Sequence, residues 1–368
     1  MERKISGYQL FTTLFILPYG SAVLFFLAAD TKQDAWIAIL IYTLPGILLQ
    51  YVYIALFKYY PKDTIVTYMP KIFGKYLGTL ISIIYTLYFL YLSARVLRDF
   101  TGLISISSMP QTPRVFIGSL LILTVAYGVM TGFETISRAA EILFPLMMLG
   151  LVGAYILLLI TQGVFFFDRL EPIAEKGFLN VIQKGWKLIT FPFGEPIVFS
   201  MLYSTVNEPY KIRKLVTWSI ITEGVALSAI TIMFIAGLGV TFASSTNFPL
   251  LETLRLIQVG GFLDRLDIII VVTLVVGGFM KISILMYASI LGTSQLLKIN
   301  NFRFLAFPFA AIALILSEVI ARNYPQHIKL GLDFTVKYIH LPIQIIIPLL
   351  ALALAYFKNK NKNSQVTN

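Results

Sequence analysis

The sequence predicts an all-α integral membrane protein with about ten transmembrane helices, and three observations carry that reading. Hydrophobic residues make up 58% of the chain against 13% charged, far outside the usage of globular domains. Apolar windows of ~20 residues, the length that crosses hydrocarbon with its backbone hydrogen bonds satisfied internally, recur along all 368 residues. No stretch of soluble-domain size and no Ser/Gly/Pro-rich linker divides them, so the chain reads as one integrated bundle. With no cysteine, a disulfide framework, thiolate catalysis and thiolate metal sites are excluded.

In chain order, the apolar windows place spans at Tyr8–Ala29, Trp36–Phe57, Tyr76–Ser107, Val115–Met130 and Glu141–Thr161 in a first half. Leu188–Tyr203, Val216–Phe242, Asp267–Leu291, Phe304–Ile320 and Val336–Phe357 follow in a second. The short basic segment Met1–Ser6 lacks a small-residue cleavage site beyond the apolar run behind it, so the first span is read as retained. The division is then 1–161, an outer loop over 162–187, 188–357 and a tail over 358–368. Within the loop, Phe178, Leu179, Ile182 and Trp186 share one helical face away from Lys176, Lys184 and Lys187, which suits a helix lying in the membrane interface. Asn247 to Asp267 repeats a helical apolar pattern through Leu250, Leu251, Leu254 and Ile257; both stretches read as packing lids.

With the N-terminus inside, the inner connections collect Arg3, Lys4, Lys58, Lys62, Lys71, Lys75, Arg138, Lys211, Arg213, Lys214, Lys298, Arg303 and the C-terminal lysines. The positive-inside rule places both termini in the cytoplasm. Much of the net charge of +11 is accounted for by these loops facing anionic lipid. No basic patch with interleaved aromatics is present, so nucleic acid is not an expected partner.

Two spans carry a break. Span one reads Phe15-Ile16-Leu17-Pro18-Tyr19-Gly20-Ser21-Ala22, and span six reads Ile189-Thr190-Phe191-Pro192-Phe193-Gly194-Glu195-Pro196. Proline removes a donor and crowds the preceding turn, and glycine tolerates unwound backbone. Backbone groups freed at that depth must meet protein, water or ligand. Either break alone reads equally well as a simple proline kink. If the spans divide five and five, however, each opens its half, and matched interruptions point to an inverted-repeat transporter fold with a mid-membrane site. Half-helix N-termini there suit a carboxylate or other anionic group.

Ionisable residues inside the spans mark further candidates. Glu195 lies in the second break and Lys281 deep in span eight, where an unpaired charge costs at least ~2.5 kcal/mol. Thr273, Gly277 and Lys281 recur every four residues and line one face. An ion pair between Lys281 and Glu195, a lysine standing in for a coupling sodium ion, and a purely structural pair all remain open. Arg95, Arg98 and Asp99 lie in the outward half of span three, where they either snorkel or line a vestibule. Glu134, Arg138 and Glu141 are spaced to pair along one helix face. Glu223 in span seven is a candidate proton carrier.

Several short motifs in order along the chain resemble the spore germination permease family, the B-type subunits of nutrient germinant receptors within the amino acid–polyamine–cation superfamily. They are Asp34-Ala35-Trp36-Ile37, Phe73-Gly74-Lys75-Tyr76-Leu77-Gly78, Phe133-Glu134-Thr135-Ile136-Ser137-Arg138, Phe193-Gly194-Glu195, Gly261-Phe262-Leu263-Asp264-Arg265 and Lys281-Ile282-Ser283. The resemblance implies an amino-acid permease (LeuT-like) fold with five-plus-five inverted repeats and helices 1 and 6 broken. It implies a ligand held by Gly20, Ser21 and Ala22 in the first break, Phe193, Gly194 and Glu195 in the second, and Lys281 and Ser283 on helix eight. Tyr19, Arg98 and Glu223 are candidates for vestibule or coupling roles. This chain departs from a common pattern in having Pro18 and Tyr19 before a single Gly20.

Family membership further implies an A subunit and a lipoprotein C subunit as partners in the spore inner membrane, and an amino acid, sugar or similar nutrient as ligand. The expected function is nutrient sensing that triggers germination; the alternative is a proton-coupled amino-acid transporter of the same fold. Gly194→Phe is then expected to abolish the ligand response while leaving the protein inserted. An enzyme is not expected, and neither a cofactor nor a metal is: His327 and His340 are the only histidines, both near span ends where interfacial placement suffices, and no Walker-type loop or H-E-x-x-H pair is present.

Overall fold

The computed structural model describes residues 4–257 and 266–366. The motif Gly261-Phe262-Leu263-Asp264-Arg265 lies outside the described residues. Helix α1 (Gly7–Ala22) opens on a capping box in which Ser6 and Gln9 exchange side-chain to backbone bonds of 3.2 and 3.0 Å. After a 3-10 turn over Ala29–Asp34 come α2 (Ala35–Tyr59), α3 (Ile65–Phe73), α4 (Lys75–Ser107), α5 (Arg114–Thr131) and α6 (Phe133–Ile160). The loop helix α7 (Phe178–Gly185) leads into segment six, and α8 (Ile212–Leu238), α9 (Val240–Ser245), α10 (Pro249–Leu254), α11 (Leu266–Leu297) and α12 (Ala306–Val319) follow. The last rod joins α13 (Tyr324–Lys329), a wide π-helical stretch over Leu330–Ile346, and α14 (Ile347–Val366).

Among the described residues, seven helices are long and apolar enough to cross a membrane: α2, α4, α5, α6, α8, α11 and the rod from α13 to α14. Their outward faces carry large apolar side chains such as Leu44, Leu48, Leu149, Val152 and Leu350, all exposed on the protein itself, as lipid contact requires. The other three expected spans are α1 and α12, of 16 and 14 residues, and segment six. A parallel bridge between Ile5 and Val206 and a 2.7 Å bond from Lys358 Nζ to the Ile72 carbonyl gather both ends of the chain on one face, the terminal face.

Three features correct the sequence reading. First, the break in span one comes at the far end of the expected stretch: α1 stays helical through Pro18, Gly20 and Ser21 and ends at Ala22, and turns and a 3-10 stretch carry the chain on to Asp34. One proline costs α1 a single i→i−4 bond, and the packing of Gly20 against Gly277, where a Cβ would lie 2.7 Å from the Gly277 carbonyl oxygen, holds the next turn in place. Second, the last span starts at Tyr324 rather than Val336. Its polar opening, Gln326 to Lys329 and Asp333, hid it from an apolar window, so His327 and His340 are 0% and 3% exposed inside the bundle rather than interfacial. Third, α3 is unanticipated, being too short for such a window; Thr64 and Thr67 cap it.

Candidate functional site

Segment six is where regular helix fails. From Trp186 to Thr205 it is a series of 3-10 turns over Trp186–Ile189, Glu195–Met201 and Tyr203–Thr205. Pro192 and Pro196 remove donors one turn apart, the Leu188 and Pro192 carbonyls accept from Phe193 and Glu195 N–H instead, and side chains of α2 reach the next carbonyls along. Gln50 Nε2 donates to the Phe193 carbonyl at 2.7 Å. Tyr53 Oη reaches the Gly194 carbonyl at 3.5 Å and the Gln344 carbonyl at 2.6 Å. Tyr85 Oη donates to the Ile343 carbonyl, and Gln344 Nε2 to Tyr88 Oη, each at 2.7 Å. Gln50 and Tyr53 therefore tie the unwound segment to α2, and Tyr53, Tyr85, Tyr88 and Gln344 tie the π-helical stretch to α2 and α4 beside it. None was expected from sequence, since a tyrosine or glutamine on an apolar face looks the same whether or not a carbonyl awaits it.

Next to this seam lies a buried charge cluster. Lys281 Nζ of α11 stands 2.5 Å from Glu195 Oε2 and donates to Ser21 Oγ of α1 at 2.7 Å, with the Phe191 ring 5.4 Å below it. Both ion-pair partners are buried, at 0% and 2% exposure. Of the alternatives open at the sequence level, the ion pair is what the geometry contains. Three elements that are distant in sequence thus meet through one ammonium group.

Glu195 and Ser21 also face a cavity of about 40 Å³, room for roughly three waters at ~10–15 Å³ each. Arg95 and Asp99 of α4 and His340 of the last rod complete its polar lining, and Phe25, Phe191, Ile328 and Leu332 its apolar walls. His327 Nε2 lies 2.7 Å from Asp99 Oδ1, and Arg95 Nη2 donates to the His327 carbonyl at 3.0 Å. Arg95 Nη1 and both ring nitrogens of His340 have no partner among the described residues. Buried donors left unpaired are costly, so the cavity wall is supplied with unused hydrogen-bonding capacity.

On the side away from the terminal face, Phe191, Ile328 and Leu332 also line a cleft of about 410 Å³. Lys187 bridges it, 2.5 Å from Asp333 Oδ1 and 3.6 Å from Asp30 Oδ2. Partial burial lowers the Lys187 pKa, and the two carboxylates more than offset this, leaving the ammonium group above its ordinary range.

The expected site residues separate into two sets. Ser21, Glu195 and Lys281 converge. Gly20 and Ala22 back them within α1, and Gly20 serves the close approach to α11. Ser283 points elsewhere: its Oγ donates to the Phe279 carbonyl at 2.7 Å near Gly128 of α5, because residues two apart on a helix face opposite ways. Phe193 is fully buried against Gly46, and Phe191 takes the place at the cavity. Gly194 packs under Gln344, whose Oε1 would lie 2.3 Å from an added Cβ. Gly194→Phe is therefore a packing lesion rather than a selective site lesion, which reverses the expectation of an inserted, unresponsive protein.

Tyr19 lines a separate apolar pocket with Met147 and Leu274. Arg98 is not at the cavity and does not snorkel: its side chain is fully buried and its Nη1 pairs at 2.9 Å with Oε2 of the partly exposed Glu318 of α12. Arg95 and Asp99, one turn apart, are the members of that trio at the cavity. Glu223 is fully buried on α8 and neither of its oxygens has a partner among the described residues. Of the Glu134, Arg138, Glu141 ladder, the first two pair at 2.8 Å, while Glu141 accepts from Gln9 Nε2 at 3.0 Å.

Comparison with known proteins agrees with this architecture. Residues 4–325 match the family model described as "Spore germination protein". The chain is 35% identical to spore germination protein KB of Bacillus subtilis (strain 168) over 365 residues, 98% of this chain and 97% of that one. It is 27% identical to spore germination protein XB of Bacillus anthracis over 69% of this chain and 70% of the other. Among solved structures, MhsT in complex with L-phenylalanine has a TM-score of 0.67 at 13% identity, over 96% of this chain and 89% of its own. Mhp1, a nucleobase-cation-symport-1 family transporter, has a TM-score of 0.61 at 12% identity, over 90% of this chain and 75% of its own. The fold is thus that of LeuT-like transporters, the protein is a multi-pass membrane protein, and the relatives form a germination permease family rather than an enzyme family. With its interrupted sixth segment and its match over nearly the whole length, the chain belongs to the spore germination protein family.

Proposed function

We propose that this chain is the B-type subunit of a spore nutrient germinant receptor, binding a small nutrient in the cavity between α1, segment six, α4 and the last rod. One observation supports the reading above the rest: Glu195 faces the cavity while holding Lys281 and, through it, Ser21. A polar nutrient that engages Glu195 competes for the bonds that lock α1, segment six and α11 together, while Arg95 and His340 offer it further hydrogen bonds. Binding then favours one arrangement of the bundle over another, provided its affinity for the two differs. The cavity as it stands admits only waters, so the nutrient enters from the cleft as the Lys187 bridges and the layer of Phe191, Ile328 and Leu332 part.

In this reading the two halves, 1–161 and 188–357, form the inverted repeat, and the termini face the spore core from the inner membrane. The change is passed to an A subunit and a lipoprotein C subunit. Deleting this chain is expected to abolish germination in response to at least one amino acid or sugar in a nutrient panel while leaving other responses intact; an unchanged panel would sink the proposal. The transporter-fold neighbours favour a second reading, a proton-coupled amino-acid transporter. Proton-dependent uptake into liposomes containing this chain alone selects that reading over sensing.

A further inference from the structure

The charge cluster accounts for Lys281 and Glu195 but leaves Glu223, the most deeply buried carboxyl group among the described residues, without a role. It is 0% exposed and both oxygens lack a hydrogen-bond partner among the described residues. A bare carboxylate in such a place loses its hydration and gains nothing in return, a cost of several kcal/mol or more. Something must therefore neutralise it.

The surroundings narrow the choice. Helix α8 packs against α1, α2, α6, α9, α10 and the turns around Phe167–Leu170 and Pro209–Lys211. Helices α1 and α9 contain no charged residue. The one charge on α2, Lys58, lies at its terminal-face end, as do Glu134, Arg138 and Glu141 at the start of α6. At the opposite face, Glu252 pairs with Arg255 at 2.9 Å, and Arg169 donates to the Ala236 carbonyl, with Asp168 beside it in sequence. At the start of α8, Lys211 pairs with Glu208, and Arg213 stacks on Tyr51 at 4.3 Å, with Lys214 next along. Glu195 and Lys281, buried in the same bundle, already neutralise each other at 2.5 Å. No group of three His, Asp or Glu side chains that could hold a metal ion occurs among the described residues.

A proton needs only an acceptor to donate to, and α1 offers one. Ser219 Oγ donates to the Phe11 carbonyl at 3.3 Å. Helices α1 and α8 both start at the terminal face, so one further turn along each brings Glu223 level with Leu14 and Phe15. Pro18 deprives the Leu14 carbonyl of its helical donor. We infer that Glu223 is a proton-binding site, occupied by a proton in this closed arrangement, beside the Lys281–Glu195 pair and independent of which nutrient the cavity accepts.

The consequence is a pH-responsive junction between α1, α8 and α11. The folded bundle holds a proton that the unfolded chain gives up at neutral pH, so stability falls as pH rises. The full-length protein in lipid nanodiscs is compared with Glu223→Gln by infrared spectroscopy and thermal unfolding over a pH series in sodium-free and sodium-containing buffer. The wild type is expected to show the carbonyl stretch of a protonated carboxylic acid, slow to exchange in heavy water, and a melting temperature that declines with pH. In Glu223→Gln that band is lost and the decline flattens. A wild type without the band, or a variant that keeps it at full intensity, overturns the assignment. So does stabilisation of the wild type alone by sodium, which would make the occupant a cation. If Glu223→Gln does not assemble, Glu223→Met is read in the same way; failure of both neutral replacements also overturns the proposal.

Discussion

The two interrupted segments look alike in sequence, an apolar run closed by proline, an aromatic residue and glycine, yet they end as different structures. In α1 a single proline is absorbed: the helix continues one turn and stops at Ala22. In segment six the second proline, Pro196, and the side chains waiting on α2 and the last rod let the backbone leave the helix for about twenty residues. A proline in a membrane helix therefore decides where a break is permitted, and the neighbours decide whether it happens. α1 has Gly277 pressing on it and keeps its turn, whereas segment six has Gln50 and Tyr53 and gives it up.

Breaking the link between the two segments is expected to have the largest effect. Lys281→Met leaves Glu195 buried without its partner, a loss of ~3–5 kcal/mol, read as a collapse of melting temperature or of membrane-inserted yield. The double variant Lys281→Met, Glu195→Gln recovers most of it if the pair itself is the cause. A single variant as stable as wild type would show that the ion pair does not join the segments.

Gly20→Val tests the α1 side. Its Cβ would meet the Gly277 carbonyl, and overpacking of that kind costs ~1–3 kcal/mol. Gly277→Ala should cost less, because its Cβ would meet the flexible end of Met147 at 3.1 Å and Gly20 only at 3.5 Å; a silent Gly20→Val would mean that α1 does not depend on α11 to stay helical. On the other side, Gln50→Leu strips the Phe193 carbonyl of its donor, an expected ~1–3 kcal/mol, with segment six becoming more accessible to hydrogen exchange while α1 is unchanged. Equal exchange in both segments would erase the distinction drawn between them.

The smallest effect belongs to the bridge over the cleft. Lys187→Ala removes partly exposed pairs to Asp333 and Asp30, worth ~0–1 kcal/mol, so thermal stability should barely move. Accessibility of a cysteine introduced at Leu332 to a water-soluble thiol reagent should rise. A large loss of stability would instead assign Lys187 a structural role.

Sequence alone determined the class and most helices, because lipid imposes a length and an apolar content that show directly in composition. α2, α4, α5 and α11 begin within a residue or two of their expected starts. It also marked Glu195 and Lys281, since a charge at that depth is costly wherever its partner lies. Only the tertiary structure decided that those two meet, that Ser21 joins them while Ser283 faces α5, and that Arg95 rather than Arg98 reaches the cavity. It also put His327 beside Asp99, left Glu223 without a hydrogen-bond partner among the described residues, and moved the first break past Pro18. Each of these depends on which residue of a distant helix fills a given gap, and a local pattern of polar and apolar residues holds no record of that.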